Sequence, residues 1–63
     1  SMAKAVILVH NHPSGIPNPS FSDKEITRQM IEAGQALSIE FLDHIIVARE
    51  GYVSLKRETD FDW

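Results

Sequence analysis

A chain of 63 residues with six Lys and Arg against nine Asp and Glu, net charge −3, is at most one small domain, and such a domain buries only about 60% of the surface its unfolded chain exposes. The absence of Cys excludes disulfides and thiolate metal sites, leaving a metal ion or a partner as the staple for a small core. The bases Lys4, Lys24, Arg28, Arg49, Lys56 and Arg57 are scattered, which argues against a nucleic-acid footprint, and an apolar run of only about seven residues is too short for a signal peptide or a membrane span, so a soluble, cytoplasmic chain is expected.

Ser1-Met2 reads as a tag remnant ahead of a start methionine. From Ala3 to Val9 the chain is apolar and β-branched, which predicts a buried strand, with His10 and His12 where the strand runs out into a loop. Pro13, Gly15, Pro17 and Pro19 stiffen that loop, and Ser20, Ser22 and Asp23 carry helix-start chemistry. Ile26, Met30, Ala33 and Leu37 recur at helical spacing and predict an amphipathic helix over about 22–38 with that stripe as its apolar face. Lys24, Glu25, Arg28 and Glu32 fall on the polar face, where Glu25 with Arg28 and Arg28 with Glu32 are spaced as ion pairs. Gly34 costs up to roughly 1 kcal/mol against Ala in a helix interior, and so marks either close packing on the sheet or fraying of the last turn.

Phe41 to Ala48 is a second apolar strand, reached through the helix, so the pair should be parallel with a right-handed crossover. A tight turn at Arg49-Glu50-Gly51 leads to an antiparallel strand over 52–55, and the tail from Lys56 to Trp63 is expected to fray unless Phe61 and Trp63 dock. The fold class expected is α/β: a parallel strand-helix-strand unit with an added hairpin strand. Its exposed sheet edge should invite a homo-oligomer or a strand-exchanged dimer.

The chemistry is concentrated in His10-Asn11-His12-Pro13 and Ser20-Phe21-Ser22-Asp23. Side chains two apart on an extended backbone point the same way, so His10 and His12 could share an ion that Asp23 reaches from the helix start. Two nitrogens and one oxygen read as a zinc site with its fourth position open, the arrangement that in catalytic sites holds a water whose pKa falls to about 7. A different reading needs no metal: strand-end histidines facing solvent, and Ser20 and Asp23 as a helix capping box. Asp43 and His44 within the second strand read either as support for a ligating imidazole or as polar groups on an uncovered face.

The pattern His-x-His-Pro, six residues, Ser-x-x-Asp is met at His10, His12, Pro13, Ser20 and Asp23, and it resembles the JAMM motif of JAB/MPN metalloproteases. His10 to Gly15, Leu42 to Val47 and Gly51 to Ser54 are similar to bacterial RadC-like proteins, the likeness spanning Lys4 to Leu55. The resemblance implies a JAB/MPN (cytidine deaminase-like) sandwich, with His10, His12 and Asp23 as zinc ligands and Ser20 as a donor to the oxyanion of a tetrahedral intermediate. It implies hydrolysis of a peptide or isopeptide bond in a peptide or protein substrate through a metal-activated water, while the composition and charge give the expectation of a cytoplasmic chain with no membrane or nucleic-acid partner. The family places a general-base Glu on a strand upstream of the His-x-His, and residues 1–9 contain no carboxylate. Glu25, Glu32, Glu40 and Glu50 are poorly placed to replace it. The chain therefore reads as the C-terminal half of such a domain over residues 3–57, with 58–63 as a tail, and is expected to be inactive alone. Two other classes remain: a non-catalytic interaction module with a vestigial metal site, and a nucleic-acid-processing protein, since RadC-like proteins carry a DNA-repair label.

Overall fold

The computed structural model describes residues 4–63, so the expected start of the first strand at Ala3, and Ser1-Met2, lie outside the described residues. The order is β1 (Lys4–Asn11), α1 (Phe21–Leu37), β2 (Ile39–Ala48), β3 (Gly51–Ser54) and a one-turn helix α2 (Leu55–Glu58). The three strands form a mixed sheet in the order β1-β2-β3, with β1 parallel and β3 antiparallel to β2. The α/β class and the strand-helix-strand unit with a hairpin strand are therefore observed. Among the described residues no helix is long and apolar enough to cross a membrane.

β1 runs two residues beyond its expected end, so His10 lies within the strand, paired with Ile46. The ladder persists because the His12 N–H donates to the Val47 carbonyl at 3.0 Å, which keeps the backbone extended through both histidines. The strand is also not buried. It is an edge of the sheet, with Ile7 and Val9 more than half exposed and Leu8 and His10 alternating toward α1.

α1 begins after Ser20 as N-cap and ends at Ser38 in the left-handed region (φ 58°), close to the expected span. Its buried face differs from expectation: Asp23, Thr27, Ile31 and Gly34 are buried, while Ile26, Met30 and Leu37 are exposed. Periodicity found an apolar stripe, but the neighbouring stripe meets the sheet: Gly34 approaches Ile39, Thr27 bonds His44 on β2, and Asp23 faces His10 on β1 and His12 just beyond it. Gly34 marks close packing: a Cβ added to it would sit 2.5 Å from the Ile39 carbonyl oxygen. Of the two expected ion pairs, Arg28 with Glu25 forms at 3.7 Å, and the Arg28 guanidinium lies 4.8 Å from the Phe61 ring centroid.

β2 starts at Ile39 rather than Phe41 and contains a bulge. Val6 pairs with Phe41 and Ile7 with Asp43, so Leu42 is the extra residue. A strand alternates its faces strictly, so residues 41 and 44 would point to opposite sides; one added residue restores them to the same side. Phe41, His44 and Ile46 are consequently all buried, with Ile31 and Leu55 completing the described core.

β3 has the expected four residues but is shifted back by one, because Leu55 turns into α2, which Ser54 caps by accepting from the Arg57 N–H. The two-residue turn Arg49-Glu50 joins the hairpin. The tail docks: Trp63 stacks on Phe41 with centroids 5.6 Å apart, and its indole N–H donates to Thr59 Oγ1 at 3.2 Å. Stacking contributes on the order of 1 kcal/mol beyond simple area burial.

Candidate metal centre

Three elements meet at the C-terminal end of β1. The strand aims His10 and His12 at the first turn of α1, and the Pro-rich loop between them is held by two backbone bonds, Gly15 N–H to the His12 carbonyl at 3.1 Å and Glu50 N–H to the Gly15 carbonyl at 3.0 Å. Gly15 adopts φ +90°, a conformation that excludes most side chains, and its open face lies against the Arg49 guanidinium. The loop is thereby clamped to the β2-β3 turn, which sets the distance from strand to helix.

Asp23 arrives on a rigid mount. Its Oδ2 accepts from the Ser20 N–H at 2.7 Å, and Ser20 Oγ accepts from the Asp23 N–H at 3.1 Å. The capping box is therefore present, and it coexists with a second relationship. The same Oδ2 lies 3.0 Å from His12 Nε2, and Oδ1 lies 3.2 Å from His10 Nε2. Potential ligand atoms of His10, His12 and Asp23 all fall within 4.8 Å of one another.

The protons on the two rings decide what the cluster can do. His12 Nδ1 is 3.1 Å from the Ile16 carbonyl oxygen, which only accepts, so His12 carries its proton on Nδ1. His10 Nδ1 is 2.8 Å from His44 Nε2. His44 Nδ1 is 2.6 Å from Thr27 Oγ1, and Thr27 Oγ1 donates to the Asp23 carbonyl at 2.7 Å. Following the hydrogens outward from that carbonyl places the His10 proton on Nδ1 as well. Both Nε2 atoms then face the Asp23 carboxylate, where a proton or a metal ion can lie between nitrogen and oxygen.

The donor set fits a metal. Two imidazole nitrogens and a carboxylate oxygen are the usual ligand types of zinc, and one ligand atom from each residue lies within 4.8 Å of the others. A paired support behind a ligating imidazole is also what metal sites commonly show.

Charge in the cluster follows from its surroundings. Burial pushes the Asp23 carboxyl up, but the Ser20 N–H, the Ser20 hydroxyl and the nearby His10 and His12 rings outweigh it and hold it below the usual carboxylate value. Burial pushes His44 down and the His10 ring adds to this, against opposing pulls from Asp23 and Asp43. His44 is therefore neutral at neutral pH and able to act as one donor and one acceptor.

Asp43 lies apart from this network. Its carboxylate accepts from the His44 N–H at 2.7 Å, the Ser54 hydroxyl at 2.6 Å and the Lys56 N–H at 3.0 Å, joining β2 to the hairpin and to α2. Ser20, expected as an oxyanion donor, is exposed beside the cluster. Because its Oγ serves as acceptor for the cap, its hydroxyl hydrogen stays available to donate. Thr27 was not expected at the site. Its only signal in the sequence is its place four residues after Asp23, which puts both on one side of the helix.

The fold and the site define a small α/β unit whose strand end and helix start bring together two histidines and an aspartate that could hold a metal ion. A family model described as the RadC-like JAB domain matches residues 1–60, and the chain belongs to that family. Among curated proteins it is similar to UPF0758 proteins from Symbiobacterium thermophilum, 56% identical over 54 residues covering 86% of this chain and 23% of the relative, and from Syntrophomonas wolfei, 59% identical over 54 residues with the same coverage. A further relative from Caldanaerobacter subterraneus is 48% identical over 61 residues, covering 97% of this chain and 26% of its own length. The chain thus spans about a quarter of the length of the curated relatives it matches.

Proposed function

We propose that this chain carries the ligand half of a zinc metallohydrolase site of the RadC-like JAB type, with His10, His12 and Asp23 as the metal ligands. The observation that carries this reading is the geometry: with the Nδ1 atoms of His10 and His12 engaged by His44 and by the Ile16 carbonyl, their Nε2 atoms converge on the Asp23 carboxylate at 3.2 and 3.0 Å. Zinc, when bound, supplies a Lewis acid and lowers the pKa of a coordinated water into the neutral range.

The protein's own residues do the rest. Asp23 brings the negative charge, and its capping bond to the Ser20 N–H holds the carboxylate orientation without using Oδ1. Ser20 donates its hydroxyl hydrogen to the oxygen on which charge develops as a carbonyl is attacked, in the manner of preorganised donors in acyl transfer. The substrate class is an amide, in a peptide or isopeptide bond. A proton acceptor is needed as well, and no further carboxylate joins the cluster among the described residues, so we assign hydrolysis to the longer proteins of the family and the ligand set to this part of them. The complete JAB/MPN sandwich is the architecture expected there.

Elemental analysis of the purified chain, beside His12→Ala and Asp23→Ala, tests the assignment. Near one zinc per wild-type chain, lost in both variants, supports it. No metal in the wild type under non-chelating conditions overturns it and leaves the cluster a structural remnant.

A further inference from the structure

We propose that Thr27 and His44 are positioning residues that hold the His10 ring in its metal-binding tautomer, through a hydrogen-bond chain that starts at the Asp23 carbonyl and ends at the His10 ring, whose Nε2 faces the Asp23 side chain; this rests on the metal-ligand reading above. Each link is short. Thr27 Oγ1 lies 2.7 Å from the Asp23 carbonyl oxygen, His44 Nδ1 lies 2.6 Å from Thr27 Oγ1, and His10 Nδ1 lies 2.8 Å from His44 Nε2.

The direction of the chain is set at one end. A carbonyl oxygen has no hydrogen to give, so the single Thr27 hydroxyl hydrogen goes to Asp23 O. Thr27 Oγ1 then receives from His44 Nδ1–H, which leaves His44 Nε2 bare to receive from His10 Nδ1–H. His10 Nε2 is left as the ring atom that faces Asp23 Oδ1, at 3.2 Å, and the one able to bind a metal. Running the hydrogens the other way would set Thr27 Oγ1 against Asp23 O at 2.7 Å with no hydrogen between two oxygens, in a fully buried position where no water relieves it.

Burial makes the chain rigid. Thr27 is 0% and His44 1% exposed, so neither can exchange its partner for solvent. The β2 bulge at Leu42 is what brings His44 to the face of α1, and the i to i−4 bond of Thr27, normally a slight cost in a helix, becomes the anchor. Asp23 then acts twice on the metal: through its carboxylate, and through its carbonyl by way of His10.

The test measures zinc affinity of the 63-residue chain by chelator competition for wild type, Thr27→Val and Thr27→Ser, with circular dichroism to establish folding. Thr27→Val keeps the shape and removes the donor and acceptor; loss of an outer support of this kind costs about 10- to 100-fold in metal affinity, and Thr27→Ser should restore most of it. Nitrogen-15 NMR of the zinc-loaded wild type should find the protons of both His10 and His44 on Nδ1. A His44 proton on Nε2, or a folded Thr27→Val chain that binds zinc as tightly as wild type, overturns the proposal while leaving the ligand set intact. If Thr27→Val does not fold, the Thr27→Ser affinity and the wild-type NMR decide. Wild type that binds no zinc removes the ligand reading and this proposal together.

Discussion

Ser20 and Asp23 hold each other by reciprocal hydrogen bonds of 2.7 and 3.1 Å, so the cap that starts α1 and the carboxylate that faces two imidazoles are one structure. Cap and ligand nevertheless separate under substitution. Asp23→Asn keeps an oxygen for the Ser20 N–H, and losing a negative charge in the first helical turn should cost about 1 kcal/mol or less. It removes the charge a cation needs, so zinc binding should be lost. Urea melts of the metal-free chain together with zinc stoichiometry check both halves. Retained zinc in Asp23→Asn would show that the two histidines suffice.

Metal-free stability should fall on acidification in two stages. The pKa of His44 is depressed in the fold from its ordinary value of 6.5, so the unfolded chain binds more protons as pH drops below that value, and the stability His44 contributes above it is lost as pH falls toward its folded pKa. Asp23 is depressed from 3.8, so its contribution is full above the ordinary carboxylate range and is lost only as pH falls through that range. Thermal melts from about pH 8 to about pH 3 should show a first decline below neutrality and a second in the carboxylate range. A His44→Gln chain should lack the first. Stability that is flat between neutrality and the carboxylate range in wild type would contradict the account of His44.

Asp43 and His44 are neighbours with separate duties. Replacing Asp43 with Ala orphans the Ser54 hydroxyl and two backbone N–H groups, of His44 and Lys56, and should cost about 1–3 kcal/mol. Since the Asp43 carboxylate makes no bond to the His10 or His12 ring, zinc stoichiometry should be unchanged in the folded fraction. Loss of zinc without loss of stability would place Asp43 at the metal instead.

Gly34→Ala should destabilise even though Ala is the better helix former by about 1 kcal/mol. The added methyl would meet the Ile39 carbonyl oxygen at 2.5 Å, which is backbone and cannot step aside cheaply. Overpacking of this kind costs about 1–3 kcal/mol, which exceeds the propensity gain. A denaturation midpoint higher than wild type would show that α1 slides on β2 without penalty.

That His10, His12 and Asp23 come together was legible in the sequence because each relationship is local. Two histidines two apart on an extended backbone share a face, and a short stiff loop delivers a capped helix start beside them. Strand order, crossover and the hairpin follow from the same kind of short-range signal, with boundaries displaced by one or two residues.

The structure alone decided the parts that depend on residues 17 to 34 apart meeting, as Thr27 meets His44 and His10 meets His44. Periodicity ranks side chains by polarity, so it chose the apolar stripe of α1. The sheet instead took the stripe of Asp23, Thr27, Ile31 and Gly34, because close backbone approach and satisfied polar groups outweighed hydrophobicity there. The bulge at Leu42 leaves no mark in composition or spacing, yet it turns His44 toward α1. Residue types and short spacings determined which atoms could bind a metal; packing between distant segments determined how the His10 ring is held.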